Sequence, residues 1–276
     1  MPGNWPPFWP PLRFRSCACN RSAPGAVQSA MQIAQTNLQL YNQLAAAGWS
    51  MDALSETDRA YQLAIQLFTG RYRANGKVFL AHLVGTASIL AQFGAPQPVV
   101  LAGLLHAAYL QGEFGNGKPG VTAARRKWML QTVSPEVNSL LEGYAKLRWK
   151  PDYLAEIAPV AADLPAEQQT LLWMRIANAL EDQIHFASHY STKRLRDRGS
   201  EKSRDDWAVE IAHTLGHHEL ADALAAELNA RPFPGIERLQ RPGSGSATVA
   251  PLTHRIKPLV GLCLAAIRTI LRFKGK

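Results

Sequence analysis

Cysteine is scarce in this sequence. Cys17, Cys19 and Cys263 are the whole complement of 276 residues, too few and too near the ends for a disulfide framework, which points to a reducing compartment. Cys17-Ala-Cys19 also lacks the two-residue spacer of common zinc and redox motifs. No run reaches the roughly 18–20 uninterrupted apolar residues of a membrane span, and the N-terminus has no apolar segment of the secretory type. Acids are absent before Asp52, as in a transit peptide, yet Pro2, Pro6, Pro7, Pro10 and Pro11 would break an amphipathic targeting helix. Residues 1–25 therefore read as a disordered Pro/Trp-rich extension, and the expected location is cytoplasmic. No convincing β alternation occurs, and no Gly-x-Ser-x-Gly or Cys/His nucleophile arrangement. The glycine-rich run GEFGNGKPG, Gly112 to Gly120, follows no strand and has Pro119 after Lys118, which excludes a P-loop.

Charge is present but uneven. The formal net charge is +9, yet residues 1–51 hold three Arg and no acid, and residues 229–276 hold nine Lys/Arg against Glu237 alone. The middle, Asp52 to Leu228, keeps 18 basic and 20 acidic residues. Basicity belongs to the tails, which argues against a nucleic-acid-binding face on the folded body. The cluster KRLRDRGSEKSR, Lys193 to Arg204, reads as a solvated loop.

What is there is helical. An apolar content of 47% supports a substantial core. Apolar spacing predicts helices at about 26–47, 56–68, 78–93, 98–110, 121–132, 135–147, 151–158, 166–190, 204–214 and 217–229. Ser55 or Thr57 is the expected cap of the second, and Asn75-Gly76 a turn before the third. The fold class is all-α, with a helical domain over 26–229. Pro232, Pro234, Pro242 and the GSGS run from Gly243 mark a linker over 230–257. Residues 258–276 form a short basic amphipathic helix that either packs back on the body or meets a partner or an anionic membrane surface.

Three stretches carry chemistry. RYRANGKVFLAHLVGTASILAQFGAPQPVVLAGLLHAAYLQGEFG, Arg71 to Gly115, holds His82 and His106 at a 24-residue interval; EVNSLLEGYAKL spans Glu136 to Leu147, and LLWMRIANALEDQ spans Leu171 to Gln183. Together, over roughly residues 55–190, they resemble the HD-domain hydrolase half of RelA/SpoT-type (p)ppGpp enzymes. HLVGTASIL and AGLLHAAYLQGEFG are also similar to a bacterial group of HD relatives of unknown function. The resemblance implies a multi-helix HD-like bundle, to which the charge distribution adds flexible basic tails. It also implies a divalent metal held by a His, a His-Asp pair and a distant Asp, activating water against a phosphoester. His82 and His106 match the two histidines, and Arg73 matches an arginine of the guanine-nucleotide pocket.

The departures fall on acids. Ala107 stands at the HD aspartate, Asn178 at the distal aspartate, and Leu110 and Gln111 at the Glu-Asp pair that organises water. Two neutral imidazoles alone hold Mn²⁺ weakly, because Mn²⁺ favours oxygen ligands. Asp182, one turn beyond Asn178, offers a replacement set of His82, His106 and Asp182, with Glu113 nearby. Glu181-Asp182 otherwise reads as helix surface, and the four-residue pairs His185/His189 and His213/His217 lack the glutamate of HExxH.

The leading expectation is a catalytically degenerate domain, needing no cofactor, that binds a nucleotide or a protein partner through Arg73, Lys77, Lys146 and Asn178. The alternatives are an active phosphohydrolase acting on (p)ppGpp with Mn²⁺ or another divalent metal, and a membrane-associated scaffold.

Overall fold

Five helix starts among the described residues are capped by side chains, those of Thr36, Ser50, Thr122, Ser134 and Ser203, that accept the first free N–H groups. A computed structural model describes residues 32–115, 119–190 and 202–239. The N-terminal extension, residues 240–257 of the linker, the 258–276 helix and most of the basic cluster lie outside the described residues. Thr36 and Gln39 form a capping box that opens α1, Asn37–Ala46. The helix predicted over 26–47 is not helical at residues 32–35, where Ala34 N–H donates to Ser88 Oγ at 2.9 Å, a side chain 54 residues away. Ser50 caps α2, Met51–Phe68, by accepting from Ala53 N–H. The expected caps Ser55 and Thr57 instead bond back to the carbonyls of Met51 and Ala53, as hydroxyls inside a helix do.

The remaining helices follow the apolar spacing closely. They are α3 Phe79–Gln92, α4 Gln97–Leu105, α5 Ala108–Gln111, α6 Ala123–Met129, α7 Pro135–Lys146, α8 Pro151–Ile157, α9 Ala166–Gln183, α10 Arg204–Thr214 and α11 His218–Asn229. Among the described residues there is no strand, only an isolated bridge between Tyr72 and Val78. Two predictions fail: the single helix expected over 98–110 breaks at His106-Ala107 into α4 and α5, and the helix expected over 166–190 ends early, as α9. The helix stops at Gln183, and His185 and Phe186 adopt left-handed φ angles of 56° and 58°. These are costly values for residues with a Cβ, so His185 and His189 do not share a face of α9.

The described residues from Ile33 on fall in one compact unit. α3 and α4 are apolar nearly all round, as central helices are. Leu83, Val84, Ala87, Ile89 and Leu90 of α3, and Val100, Ala102, Leu104 and Leu105 of α4, are buried. α3 packs on α4 and α9, α7 on α4 and α9, and α10 and α11 on the other side of α9. Glycine makes the closest approaches possible: a Cβ at Gly85 would lie 2.7 Å from Glu181 Oε1. Among the described residues, no helix is long and apolar enough to cross a membrane.

Candidate functional site

Three helices and one turn converge on a buried polar cluster. His82 lies in the second turn of α3, and His106 is the residue that ends α4. α9 contributes Arg175, Asn178, Glu181 and Asp182, whose spacing of three, six and seven residues puts them on one helix face. Before α3 the chain doubles back: Arg73 N–H donates to the Lys77 carbonyl at 2.8 Å and Phe79 N–H to the Arg71 carbonyl at 3.0 Å, around Gly76 at φ 88°. Asn75 Nδ2 ties this turn to the Ala187 carbonyl at 3.2 Å. The turn thereby sets Arg73 and Lys77 against the acids at the end of α9. Arg73 pairs with Asp182 at 2.7 Å, and Lys77 pairs with Glu181 Oε1.

Groups that can only donate or only accept fix the hydrogens of the amide and of both imidazoles in the cluster. The Gly103 carbonyl accepts from His106 Nδ1 at 2.8 Å, so that nitrogen carries the hydrogen and Nε2 is a bare acceptor. Arg175 donates to Asn178 Oδ1, so the amide NH₂ must point the other way. It points at both histidines, 2.9 Å from His82 Nε2 and 3.3 Å from His106 Nε2. His82 therefore also carries its hydrogen on Nδ1 and donates it to Glu181 Oε2. One amide nitrogen sits between two imidazole lone pairs and supplies each with a hydrogen.

The rings are deeply enclosed. His82 is 0% exposed and His106 4%, their centroids are 5.1 Å apart, and Phe79 and Tyr144 meet them edge-on. Burial drives the basicity of His82 well below the ordinary imidazole range, and the Arg73 charge pushes it the same way against the opposing effect of Asp182. Burial does the same to His106, with His82 the next cause. Both imidazoles are neutral at pH 7. Burial pushes the Glu181 carboxyl up to about 7, while the charge and hydrogen bond of Lys77 pull it back.

The donor set can be tested against the divalent ion that the sequence resemblance implies. An ion between the two Nε2 atoms would meet amide hydrogens, and Ala107, Leu110 and Gln111 bring no carboxylate. That arrangement does not fit the ion. His82, Glu181 and Asp182 do place ligand atoms within 4.8 Å of one another, but Lys77 and Arg73 already balance the two carboxylates. Within the expected set of His82, His106 and Asp182, His82 Nδ1 stands 3.9 Å from Asp182, whereas both nitrogens of His106 are committed to Gly103 and Asn178.

Of the expected ligand-binding residues, Arg73, Lys77 and Asn178 come together. Lys146 is exposed on the last turn of α7, where its charge acts on Glu142. Glu113 pairs with Arg71 at 2.8 Å. The reading of Glu181 as helix surface is corrected: it is 1% exposed, because the face it shares with Asn178 is the one packed on α3. Sequence reasoning also passed over Arg175, which donates to Tyr144 Oη at 3.1 Å as well as to the amide. The signal was available in the three-residue steps from Arg175 to Asn178 to Glu181.

A family model described as a domain of unknown function, DUF6817, matches residues 65–148. The probable GTP diphosphokinase RSH3, chloroplastic, of Arabidopsis thaliana is 25% identical over 211 residues, 66% of this chain and 28% of that protein. A GTP pyrophosphokinase of Streptomyces coelicolor is 25% identical over 193 residues, 67% of this chain and 21% of that protein. The GTP pyrophosphokinase rsh of Brucella melitensis biotype 1 is 25% identical over 173 residues, 60% and 21% respectively. The chain thus spans about a quarter of the length of these curated relatives. It is distantly similar, over two thirds of its own length, to the RelA/SpoT-type GTP pyrophosphokinases.

Proposed function

We propose that this chain is a RelA/SpoT-like helical domain of HD type that recognises a guanosine phosphate without hydrolysing it. The observation that carries the non-hydrolytic half is the Asn178 amide, whose two hydrogens fill the lone pairs that a catalytic metal would need. Hydrolysis of this class depends on a metal-bound water. Metal binding here would require the amide to leave and two buried acceptors to be re-paired.

The recognition half rests on the similarity to GTP pyrophosphokinases and on Arg71, Arg73 and Lys77, which one short turn presents together. Each is held by a carboxylate, at Glu113, Asp182 and Glu181. A phosphate group would exchange with those partners as a stronger anion for guanidinium.

The test is a panel of GTP, GDP and (p)ppGpp against the full chain, by calorimetry and by chromatographic turnover with added Mn²⁺. The expected result is binding of at least one nucleotide, loss of that binding in Arg73→Ala, and no Mn²⁺-dependent product. Turnover that requires Mn²⁺ would overturn the non-hydrolytic reading. Absence of binding across the panel, or binding unchanged in Arg73→Ala, would remove the nucleotide assignment.

A further inference from the structure

The turn between α10 and α11 brings two histidines face to face. α10 ends in a Schellman motif: Gly216 N–H donates to the His213 carbonyl at 3.0 Å, His217 N–H to the Ala212 carbonyl at 2.9 Å, and Gly216 takes a φ of 79°. This closes the turn so that His213, on the last turn of α10, lies beside His218, the first residue of α11. The partner of His213 is thus His218 and not His217, four residues on, which Gly216 separates from α10. His217 instead stacks on Trp173, with centroids 4.1 Å apart. Buried Ile211 and Ala212 on one side, and Leu220 and Ala221 on the other, root both helices in the core.

The nitrogens that meet are His213 Nδ1 and His218 Nδ1, 3.3 Å apart. Two nitrogens, each about 2.0–2.1 Å from a tetrahedral zinc, are separated by about 3.3 Å. Behind His213, on its other nitrogen, Asp222 Oδ1 lies 3.8 Å from Nε2. A carboxylate that accepts from the other ring nitrogen orients a metal-bound imidazole, and Asp222 would do so on closing from 3.8 Å to hydrogen-bond distance. His213 is 44% exposed and Asp222 76%, so an ion reaches the pair from solvent and water completes its coordination.

We propose that His213 and His218 form a surface site for a late first-row divalent cation, zinc or copper, with Asp222 as the positioning residue. On binding, the hydrogen shared between the two Nδ1 atoms passes through solvent to the Nε2 of the ring that carried it, so both rings ligate as neutral imidazoles with no net loss of a proton. His213 then carries its hydrogen on Nε2, facing Asp222. The ion clips α10 to α11 across Gly216. Imidazole ligation favours copper and zinc over manganese, so the site is chemically distinct from the Asn178 cluster and does not depend on its reading.

The experiment is a calorimetric zinc titration of the full chain carrying Cys17→Ser, Cys19→Ser and Cys263→Ser, which removes competing thiolates. Hydrogen exchange of residues 211–222 is followed in parallel. His213→Ala and His218→Ala each weaken zinc binding by about tenfold or more, and Asp222→Asn by about tenfold. Zinc slows exchange across the turn in the parent and not in either histidine variant. All three substituted side chains are exposed, and melting temperatures check that the variants are folded. The proposal is overturned if the parent binds zinc no more tightly than the His213→Ala/His218→Ala double variant. The pair would then be an imidazole–imidazole hydrogen bond alone.

Discussion

Replacing Asn178 by Asp changes one atom, from a donor to an acceptor, at the point where the two histidines meet. In the parent the amide gives one hydrogen to each Nε2. A carboxylate gives none. His106 cannot respond by moving its hydrogen to Nε2, because the Gly103 carbonyl holds it on Nδ1. His82 can do so only if Glu181, which now accepts from Nδ1, takes up a proton. Each buried acceptor left facing an acceptor costs about 1–3 kcal/mol, and the new charge beside Arg175 returns part of that, so the expected net loss is about 2–4 kcal/mol. In a domain of this size, about 2–4 °C accompanies each kcal/mol, so the melting temperature should fall by roughly 5–15 °C without metal. The loss should shrink at acid pH, where the new carboxyl and Glu181 acquire protons to donate. Added Mn²⁺ should recover part of it in Asn178→Asp and leave the parent unchanged, since the variant supplies an oxygen ligand beside two bare lone pairs. Calorimetric melts at pH 6 and pH 8, with and without Mn²⁺, make the comparison. A metal-free variant at pH 8 within about 0.5 kcal/mol of the parent would refute the proton assignments, as would a parent that Mn²⁺ stabilises equally.

Two further outcomes follow from the same cluster. Gly85→Ala would place a methyl 2.7 Å from Glu181 Oε1 and 2.8 Å from its Cγ. The acid must shift away from Lys77 and His82, lowering the urea midpoint by the equivalent of about 1–3 kcal/mol, and an unchanged midpoint would show that the acid yields freely. The pH profile gives the second. Burial raises Glu181 from 4.5 to about 7, so the stability it contributes is complete below pH 4.5 and is lost as pH rises through 7, an effect on the order of 3 kcal/mol. His82 and His106 are depressed below 6.5, so their contribution has the opposite sign and is lost as pH falls below that value. Glu181→Gln should remove the first slope and leave the second, and urea unfolding from pH 5 to pH 8 would refute this if the two profiles ran parallel.

Elements whose boundaries are written in neighbouring residues were legible in the sequence. Pro135 after Ser134 opens α7, Gly94 follows α3, and Gly216 separates α10 from α11, each acting within a few residues of itself. Boundaries decided by distant partners were not legible. The non-helical residues 32–35 before α1 include Ala34, whose N–H donates to Ser88, 54 residues away. The end of α9 at Gln183 carries no proline or glycine, and two non-glycine residues take the left-handed conformation there. The site divides the same way. The histidine interval and the uncharged residues Ala107 and Asn178 could be read directly. The burial of Glu181 could not, because it depends on a turn 104 residues upstream delivering Lys77 to a carboxylate.

The Asn178 amide also bears on how the molecule opens. Its two hydrogens and its oxygen engage α3, the end of α4 and its own helix α9, so no one of these helices can detach without stranding polar groups on the others. Local fluctuations that expose a single helix are therefore penalised here. α3, α4 and α9 should behave as one cooperative folding unit, with slow exchange shared among all three, while the capped outer helices fray independently.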